Sequence, residues 1–316
     1  MLLEVGEKRR IDVGFVILHY LVFEETKHAV DTVMDHIDTE AYHIVIVDNA
    51  SCNGSGEQLM EAYAGNDHVS VIINEENLGF AKGNNIGFRY IRSHFEAAFI
   101  ILSNNDVYLT EKRLTEKLYA EYDQNRFAVL GPKIILKNGS DDSNPYSWDT
   151  KIDEKKIKKN IREFRKRYFL EKFRIKYPYY KVRNLFWKIS GYRRWRKQED
   201  QSGRRMLEEK LKTEGRLWNV RLHGCFWVFS PIYIEKFDGL EERTFMYMEE
   251  EILYLIMRCE GLTTEYDPDI EVYHAEDVST NALKMTDRRR QMFEYQNYIR
   301  SLKVWLLIYH EYQQKR

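Results

Sequence analysis

Four short runs of Val, Ile, Leu and Phe recur within the first 110 residues, each separated from the next by a stretch whose apolar residues fall at helical spacing. Val13–Leu18, His43–Asp48, Val69–Ile73 and Ala98–Leu102 read as strands. Glu24–Ile37, Gly56–Ala64 and Phe80–His94 read as helices, the first with Ala29, Val30, Val33, Met34 and Ile37 on one face. A strand that is apolar on both sides has to be covered on both sides, so the pattern predicts an α/β fold with a mainly parallel central sheet flanked by helices. Right-handed crossovers then bring the C-terminal ends of the strands to one edge, where open α/β sheets bind ligands.

Polar residues gather at that edge. Asp48-Asn49 follows the second run, Asn77 to Asn85 the third, and Asn104-Asn105-Asp106 the fourth. The βα repeat places these groups side by side although they are far apart in sequence. A carboxylate such as Asp106 at a strand end suits a hard divalent cation bridging two phosphates. Asn-Asn-Asp is also ordinary turn chemistry, so the triplet alone does not decide the matter.

From about residue 139 to 216 the alternation stops. Residues 151–197 hold 19 Lys or Arg against 4 Asp or Glu, and 11 aromatics are interleaved among them. The whole chain carries a net charge of only -1, so the remainder is strongly acidic. The expected organisation is therefore 1–138, a basic aromatic-rich insertion over 139–216, a resumed α/β half over 217–285, and a C-terminal amphipathic helix over 286–316. That last helix carries a stripe of Phe293, Ile299, Leu302, Trp305, Leu306 and Tyr309, which either caps the core or forms a dimer seam.

Before the insertion the chain reads Val-Ile-Leu-His-Tyr (16–20), Ile-Val-Asp-Asn-Ala-Ser (46–51), Asn-Leu-Gly-Phe-Ala-Lys-Gly-Asn-Asn-Ile-Gly (77–87), Ile-Leu-Ser-Asn-Asn-Asp-Val (101–107) and Leu-Gly-Pro-Lys-Ile (130–134). After it come His-Gly-Cys-Phe (223–226), Phe-Asp-Gly-Leu (237–240), Phe-Met-Tyr-Met-Glu-Glu-Glu (245–251) and Val-Tyr-His (272–274). In this order the motifs resemble those of family-2 glycosyltransferases of the GT-A (Rossmann-like) fold, especially the rhamnosyltransferase-like members that build bacterial cell-surface polysaccharides.

The resemblance implies a metal-dependent, inverting transfer of a hexosyl-type group from a UDP- or dTDP-sugar to a cell-surface glycan or lipid-linked saccharide. Tyr20, Asp48, Asn49, Asn77, Gly79, Lys82, Asn85, Asn104 and Asn105 would then face the nucleotide sugar, with Lys82 standing where the family usually has glycine. Asp106 and His274 would hold Mn²⁺ or Mg²⁺, and His223 and Gly224 would line the acceptor side. The family's Glu-Asp motif, whose Asp is the general base, is replaced here by Glu249-Glu250-Glu251. Aligning Phe-Met-Tyr puts Glu250 at the base position and leaves Glu249 as the alternative, while an acidic first turn favoured by the helix dipole explains the run without catalysis. That departure also keeps open a non-catalytic nucleotide-sugar-binding or scaffold protein of a polysaccharide assembly complex.

Other classes are disfavoured. A nucleotidyltransferase needs a basic, Gly-rich loop after the first strand, where this chain has His-Tyr-Leu-Val-Phe-Glu-Glu. No RNP pattern or GXXG loop accompanies the basic segment, so nucleic acid is not the expected partner. Cationic residues interleaved with aromatics instead suit peripheral contact with an anionic leaflet through 151–197. Three scattered cysteines and a charged N-terminus point to a reducing cytoplasmic location, with the inner face of the plasma membrane as the place for the peripheral contact expected of 151–197.

Overall fold

The computed structural model describes residues 8–141, 143–146, 152–179, 208–275 and 286–315. The four apolar runs form strands β1 (Arg9–His19), β2 (Tyr42–Asp48), β3 (Val69–Ile73) and β4 (Phe95–Asn104). Helices α1 (Phe23–His36), α2 (Ser55–Ala62) and α3 (Phe80–His94) connect them. Beyond these come β5 (Val107–Leu109), α4 (Leu114–Asn125), β6 (Val129–Leu136) and α5 (Glu154–Lys172). The chain continues with β7 (Leu217–Trp218), β8 (Phe226–Phe229), α6 (Pro231–Lys236), α7 (Glu249–Glu260), β9 (Thr264–His274) and α8 (Asp287–Gln314).

The nine strands among the described residues share one sheet in the order β3-β2-β1-β4-β8-β6-β9-β5, with β7 paired to β9. β1 to β4 pair in parallel, as their two-sided apolar character demands, and β6 pairs in parallel with β9. β8 enters antiparallel between β4 and β6, so strands from before and after the insertion interleave. β9 begins five residues before the expected Asp269, because Glu265 and Asp267 interrupt its apolar pattern while lying buried in the sheet.

Alternation along each strand builds two cores. Phe15, Ile17, Ile44 and Ile46 pack with Val30, Leu59 and Phe127 on one face. Val16, Val45 and Val47 pack with Phe88, Ile91 and Trp227 on the other. A third cluster joins Ile157 and Ile161 of α5 to Ile252 and Leu255 of α7 and to Leu302, Trp305 and Ile308 of α8. The C-terminal stripe is thus buried within this chain, against the insertion helix and α7. None of the described helices is long and apolar enough to cross a membrane. Phe186, Trp187 and Trp195, together with the basic residues of 180–197, lie outside the described residues.

Candidate active site

The parallel registers place the expected edge residues level with one another: His19 opposite Asp48, and Leu18 opposite Asn104. Asp48 is buried at 1 % exposure and accepts hydrogen bonds from the backbone N–H and hydroxyl of Ser51. His19, fully buried, is held by Thr26 Oγ1 at 2.6 Å and Ser55 Oγ at 2.7 Å. Burial pushes its pKa down to about 4 despite the nearby Asp48, so it is neutral near pH 7.

Asn49 organises the loop that follows β3. Its amide donates to Asn77 Oδ1 and to the Gly79 carbonyl, both at 3.1 Å, and its oxygen accepts from Leu78 N–H at 2.9 Å. Gly79 sits at φ +82°, and a Cβ there would run into the carbonyl oxygen of Phe245, so only glycine lets these two loops meet. Lys82 is exposed on α3 and Tyr20 is half-buried beyond β1.

Two of the expected residues have their amides hydrogen-bonded within the chain. Asn85 is engaged on both sides of its amide with Leu240 and also donates to Glu242, fixing the 238–242 loop. Asn105 is buried and donates to Thr26 Oγ1 at 2.9 Å, beneath the sheet edge. Their amides serve packing here, whereas Asn104, half-buried, remains at the edge.

The pairing of Val107 with His274 and the Ala275 N–H bond to the Asp106 carbonyl bring the two expected metal ligands together. His274 Nε2 lies 3.2 Å from Asp106 Oδ1, and its buried Nδ1 has no hydrogen-bond partner. The His223 ring lies edge-on to His274 at 5.8 Å. Burial and His274 push the His223 pKa down to about 4, and its Nδ1 accepts the Cys225 N–H.

Gly224, the next residue, hydrogen-bonds through its backbone to the Glu250 carboxylate. A Cβ on Gly224 would lie 2.8 Å from Glu250 Oε1. The dipeptide His223-Gly224 therefore spans the gap between the Asp106–His274 pair and the acidic run.

That run starts α7 after a strained turn. Tyr247 and Met248 both take positive φ, +72° and +74°, at a cost of about 1–3 kcal/mol each. The C-terminal helix holds the turn in place. Ser301 donates to the Met246 carbonyl, Trp305 Nε1 donates to the Glu251 carbonyl, and Tyr247 stacks on Tyr298 with ring centroids 4.3 Å apart.

Consecutive helical residues project about 100° apart, so the three carboxylates diverge. Glu249 turns inward to Thr244 Oγ1 at 3.1 Å and lines a cavity of about 280 Å³ behind α7. Glu250 turns to Gly224. Glu251 turns toward α5, and the charges of Arg221 and of Lys156 on that helix offset part of its desolvation. Burial, the largest cause in each case, raises all three carboxyls above their ordinary range, Glu249 to about 7. Glu250 is raised further by the charges of Glu251 and Glu249, yet it keeps partial solvent access.

The Asp106–His274 pair fits a divalent cation in one specific sense. Among the described residues no group of three or more His, Cys, Asp or Glu side chains is arranged to hold a metal unaided. One carboxylate beside one imidazole, with Nε2 facing Oδ1, leaves the remaining positions to water and phosphate oxygens, as for a divalent ion held largely by its substrate.

Several supporting residues lack a signal of their own in the sequence. Thr244 and Ser301 act only through tertiary contacts, and Trp305, expected on the stripe of the C-terminal helix, adds a bond to the Glu251 carbonyl that the stripe does not report. Asn144, buried before Pro145, accepts from His223 N–H at 2.9 Å and donates to the Pro132 carbonyl at 2.6 Å. The Asn-Pro pair marks a turn in the sequence, though not its target.

The family model described as "Glycosyl transferase family 2" matches residues 15–195. The chain is also 23 % identical over 128 residues to the low-salt glycan biosynthesis hexosyltransferase Agl10 of Haloferax volcanii, a stretch that takes in 40 % of this chain and 38 % of that relative. Among solved structures, S. aureus TarS 1–349 in complex with UDP aligns over 91 % of this chain and 71 % of its own length, with TM-score 0.51 and 12 % identity. The same protein in complex with UDP-GlcNAc aligns over 41 % of this chain and 36 % of its own, at 20 % identity and TM-score 0.35. The TarS–UDP likeness supports the mixed, mainly parallel α/β architecture described above.

Proposed function

The chain belongs to glycosyl transferase family 2, and from that premise we propose that it transfers a sugar, with inversion, from a UDP- or dTDP-sugar to a hydroxyl of a cell-surface glycan or lipid-linked saccharide. The observation that carries this reading is the link through His223-Gly224, which places a carboxylate of raised pKa across from a paired aspartate and histidine.

Glu250 is the group proposed as general base. Its Oε takes the proton of the acceptor hydroxyl as that oxygen bonds to the anomeric carbon. The bond from that carbon to the diphosphate oxygen breaks on the opposite face, and the electron pair leaves with the nucleoside diphosphate. A carboxyl with a pKa raised toward neutrality makes a stronger base than an ordinary one. Gly224 N–H orients that carboxylate, and Glu249, facing Thr244, is assigned the support of the turn.

Asp106 and His274 are the residues proposed to hold Mn²⁺ or Mg²⁺, which when bound offsets the charge on the leaving diphosphate. Tyr20, Asp48, Asn49, Asn77, Gly79, Lys82 and Asn104 form the proposed donor side, with Asn49 and Asn77 acting through the shape of the 77–79 loop. We assign no donor contact to the amides of Asn85 and Asn105.

The test is a thermal-shift and transfer panel of UDP- and dTDP-sugars with Mn²⁺ on wild type, Asp106→Ala and Glu250→Gln. The reading expects one donor to stabilise wild type only with metal, Asp106→Ala to lose that shift, and Glu250→Gln to bind but not transfer. It is withdrawn if no nucleotide sugar shifts the melting temperature.

Peripheral attachment to an anionic bilayer is proposed alongside it. Phe169, Phe173, Ile175 and Tyr177 are exposed within nine residues, Tyr177 at 78 %, and are surrounded by Lys and Arg. Rings at the headgroup level with cations snorkelling beside them suit such a surface. Co-sedimentation with phosphatidylglycerol vesicles, lost on Phe169→Ser/Phe173→Ser, is the expected result. Equal recovery with phosphatidylcholine alone refutes it.

A further inference from the structure

A second cavity, of about 360 Å³, opens between α5 and α7 and has no role in the chemistry above. Lys156 and Asn160 of α5 face Arg221, Glu251 and Tyr254 across it, and Trp305 forms its back. Its size falls in the range of small-molecule sites, ~300–1,000 Å³. It also adjoins the catalytic turn. Tyr146, on its wall, sets its ring edge-on to His223 at 6.0 Å and lies within reach of the charges of Glu251 and Glu250.

The lining has a particular chemical character. Glu251 Oε2 is buried and lacks a hydrogen-bond partner among the described residues. Leaving such a group unsatisfied costs about 1–3 kcal/mol or more, a cost removed by a ligand that brings a hydroxyl to it. Aromatic walls beside an amide and a carboxyl suit a ring with an apolar C–H face and a rim of hydroxyls. The charged lining residues are two of each sign, Lys156 and Arg221 against Asp153 and Glu251, so their formal charges balance.

We propose that this cavity is the acceptor subsite: it holds an uncharged pyranose of the acceptor glycan, one of whose hydroxyls donates to Glu251 Oε2, and it rests on the sugar-transfer reading of Glu250. The insertion helix then selects the acceptor, and the third glutamate of the run sets specificity while the second does the chemistry.

Saturation-transfer-difference NMR on the full chain tests this, with methyl pyranosides of glucose, galactose, mannose, rhamnose and N-acetylglucosamine as probes, with and without UDP and Mn²⁺. At least one glycoside is expected to take up saturation in wild type. That signal should fall at least fivefold in Glu251→Met, which removes the carboxyl, and in Asn160→Trp, which fills the cavity from the half-buried side of α5. The Asn160 variant carries the test if Glu251→Met does not fold.

Unchanged saturation in a folded variant overturns the proposal, as does a wild type that binds UDP but none of the glycosides. A preference for glucose 1-phosphate over every neutral glycoside overturns the uncharged class. A wild type that binds a glycoside but no UDP leaves the subsite standing and removes the transfer reading instead.

Discussion

At the β1–β2 end of the sheet edge, His19, Asp48 and Asn49 are buried and each has its hydrogen-bonding groups engaged within the chain. At the α7 end, Glu249, Glu250 and Glu251 are turned into the protein with their carboxyls raised, and Glu251 Oε2 has no partner among the described residues. The first region is a finished scaffold whose polar groups shape a loop and fix a neutral histidine. The second holds groups whose ionisation is costly and whose turn is strained. Native folds tolerate such costs mainly where chemistry or binding is done, so the contrast separates a part that positions from the part proposed to react.

The sharpest way to break that contrast is at Glu250. Glu250→Gln keeps the shape and removes the proton acceptor, so the sugar-transfer rate is expected to fall by about 10²–10⁴-fold with UDP affinity retained. Calorimetry beside a transfer assay checks both halves of the statement, and an active variant would hand the base role to Glu249. The transfer rate of wild type should also rise with pH through the raised pKa of Glu250, because only the ionised form accepts a proton.

Gly224→Ala tests the same residue from its partner. The new Cβ would lie 2.8 Å from Glu250 Oε1 and must displace the carboxylate. Misplacement of a catalytic group on the order of 1 Å costs about 10²-fold. The expected loss is in kcat, with donor affinity unchanged. A loss confined to donor affinity would move Gly224 to the donor side.

On the settled side the expected effect is on stability. His19→Ala deprives Thr26 and Ser55 of a shared partner and opens space beneath β1. Unmaking such buried hydrogen bonds costs about 1–3 kcal/mol. Chemical denaturation should show that loss with little change in the pH dependence of transfer. If transfer fell while stability held, His19 would belong with the reacting groups.

The parallel half of the fold was legible in the sequence because two-sided apolar strands leave few alternatives. β1 to β4 and their helices fall within a few residues of where the periodicity puts them. β8 was not legible as an antiparallel strand between β4 and β6, since four buried residues, Phe226–Phe229, carry no alternation to report direction. Residue type at a strand end was enough to single out Asp106 and His274, which the structure brings within 3.2 Å of each other. Asn85 and Asn105 show the limit of that reasoning, because an amide at a motif position satisfies a ligand or a loop equally well. The divergence of Glu249, Glu250 and Glu251 follows from helical geometry, but which side chain meets Gly224 depends on the phase of α7, and tertiary contacts with α8 set that phase.

The smallest expected effect separates Glu249 from Glu250 through stability alone. Burial holds the Glu249 pKa near 7 in the fold, against 4.5 for the free side chain. Between those values the folded protein binds more protons than the unfolded chain, so stability falls as pH rises through this window and levels off above it. The slope for a single group is at most about 1.4 kcal/mol per pH unit. Glu249→Gln keeps a hydrogen-bonding side chain and removes the titration, so its melting temperature should lose that part of the decline between about pH 5 and 7. Glu250→Gln, whose own raised carboxyl titrates higher, should remove a decline centred at higher pH. Melting curves of both variants and wild type across pH 5 to 9 decide it. If the two substitutions flatten the same part of the curve, the glutamates titrate as one unit, and the separation of a supporting carboxyl from a reacting one fails.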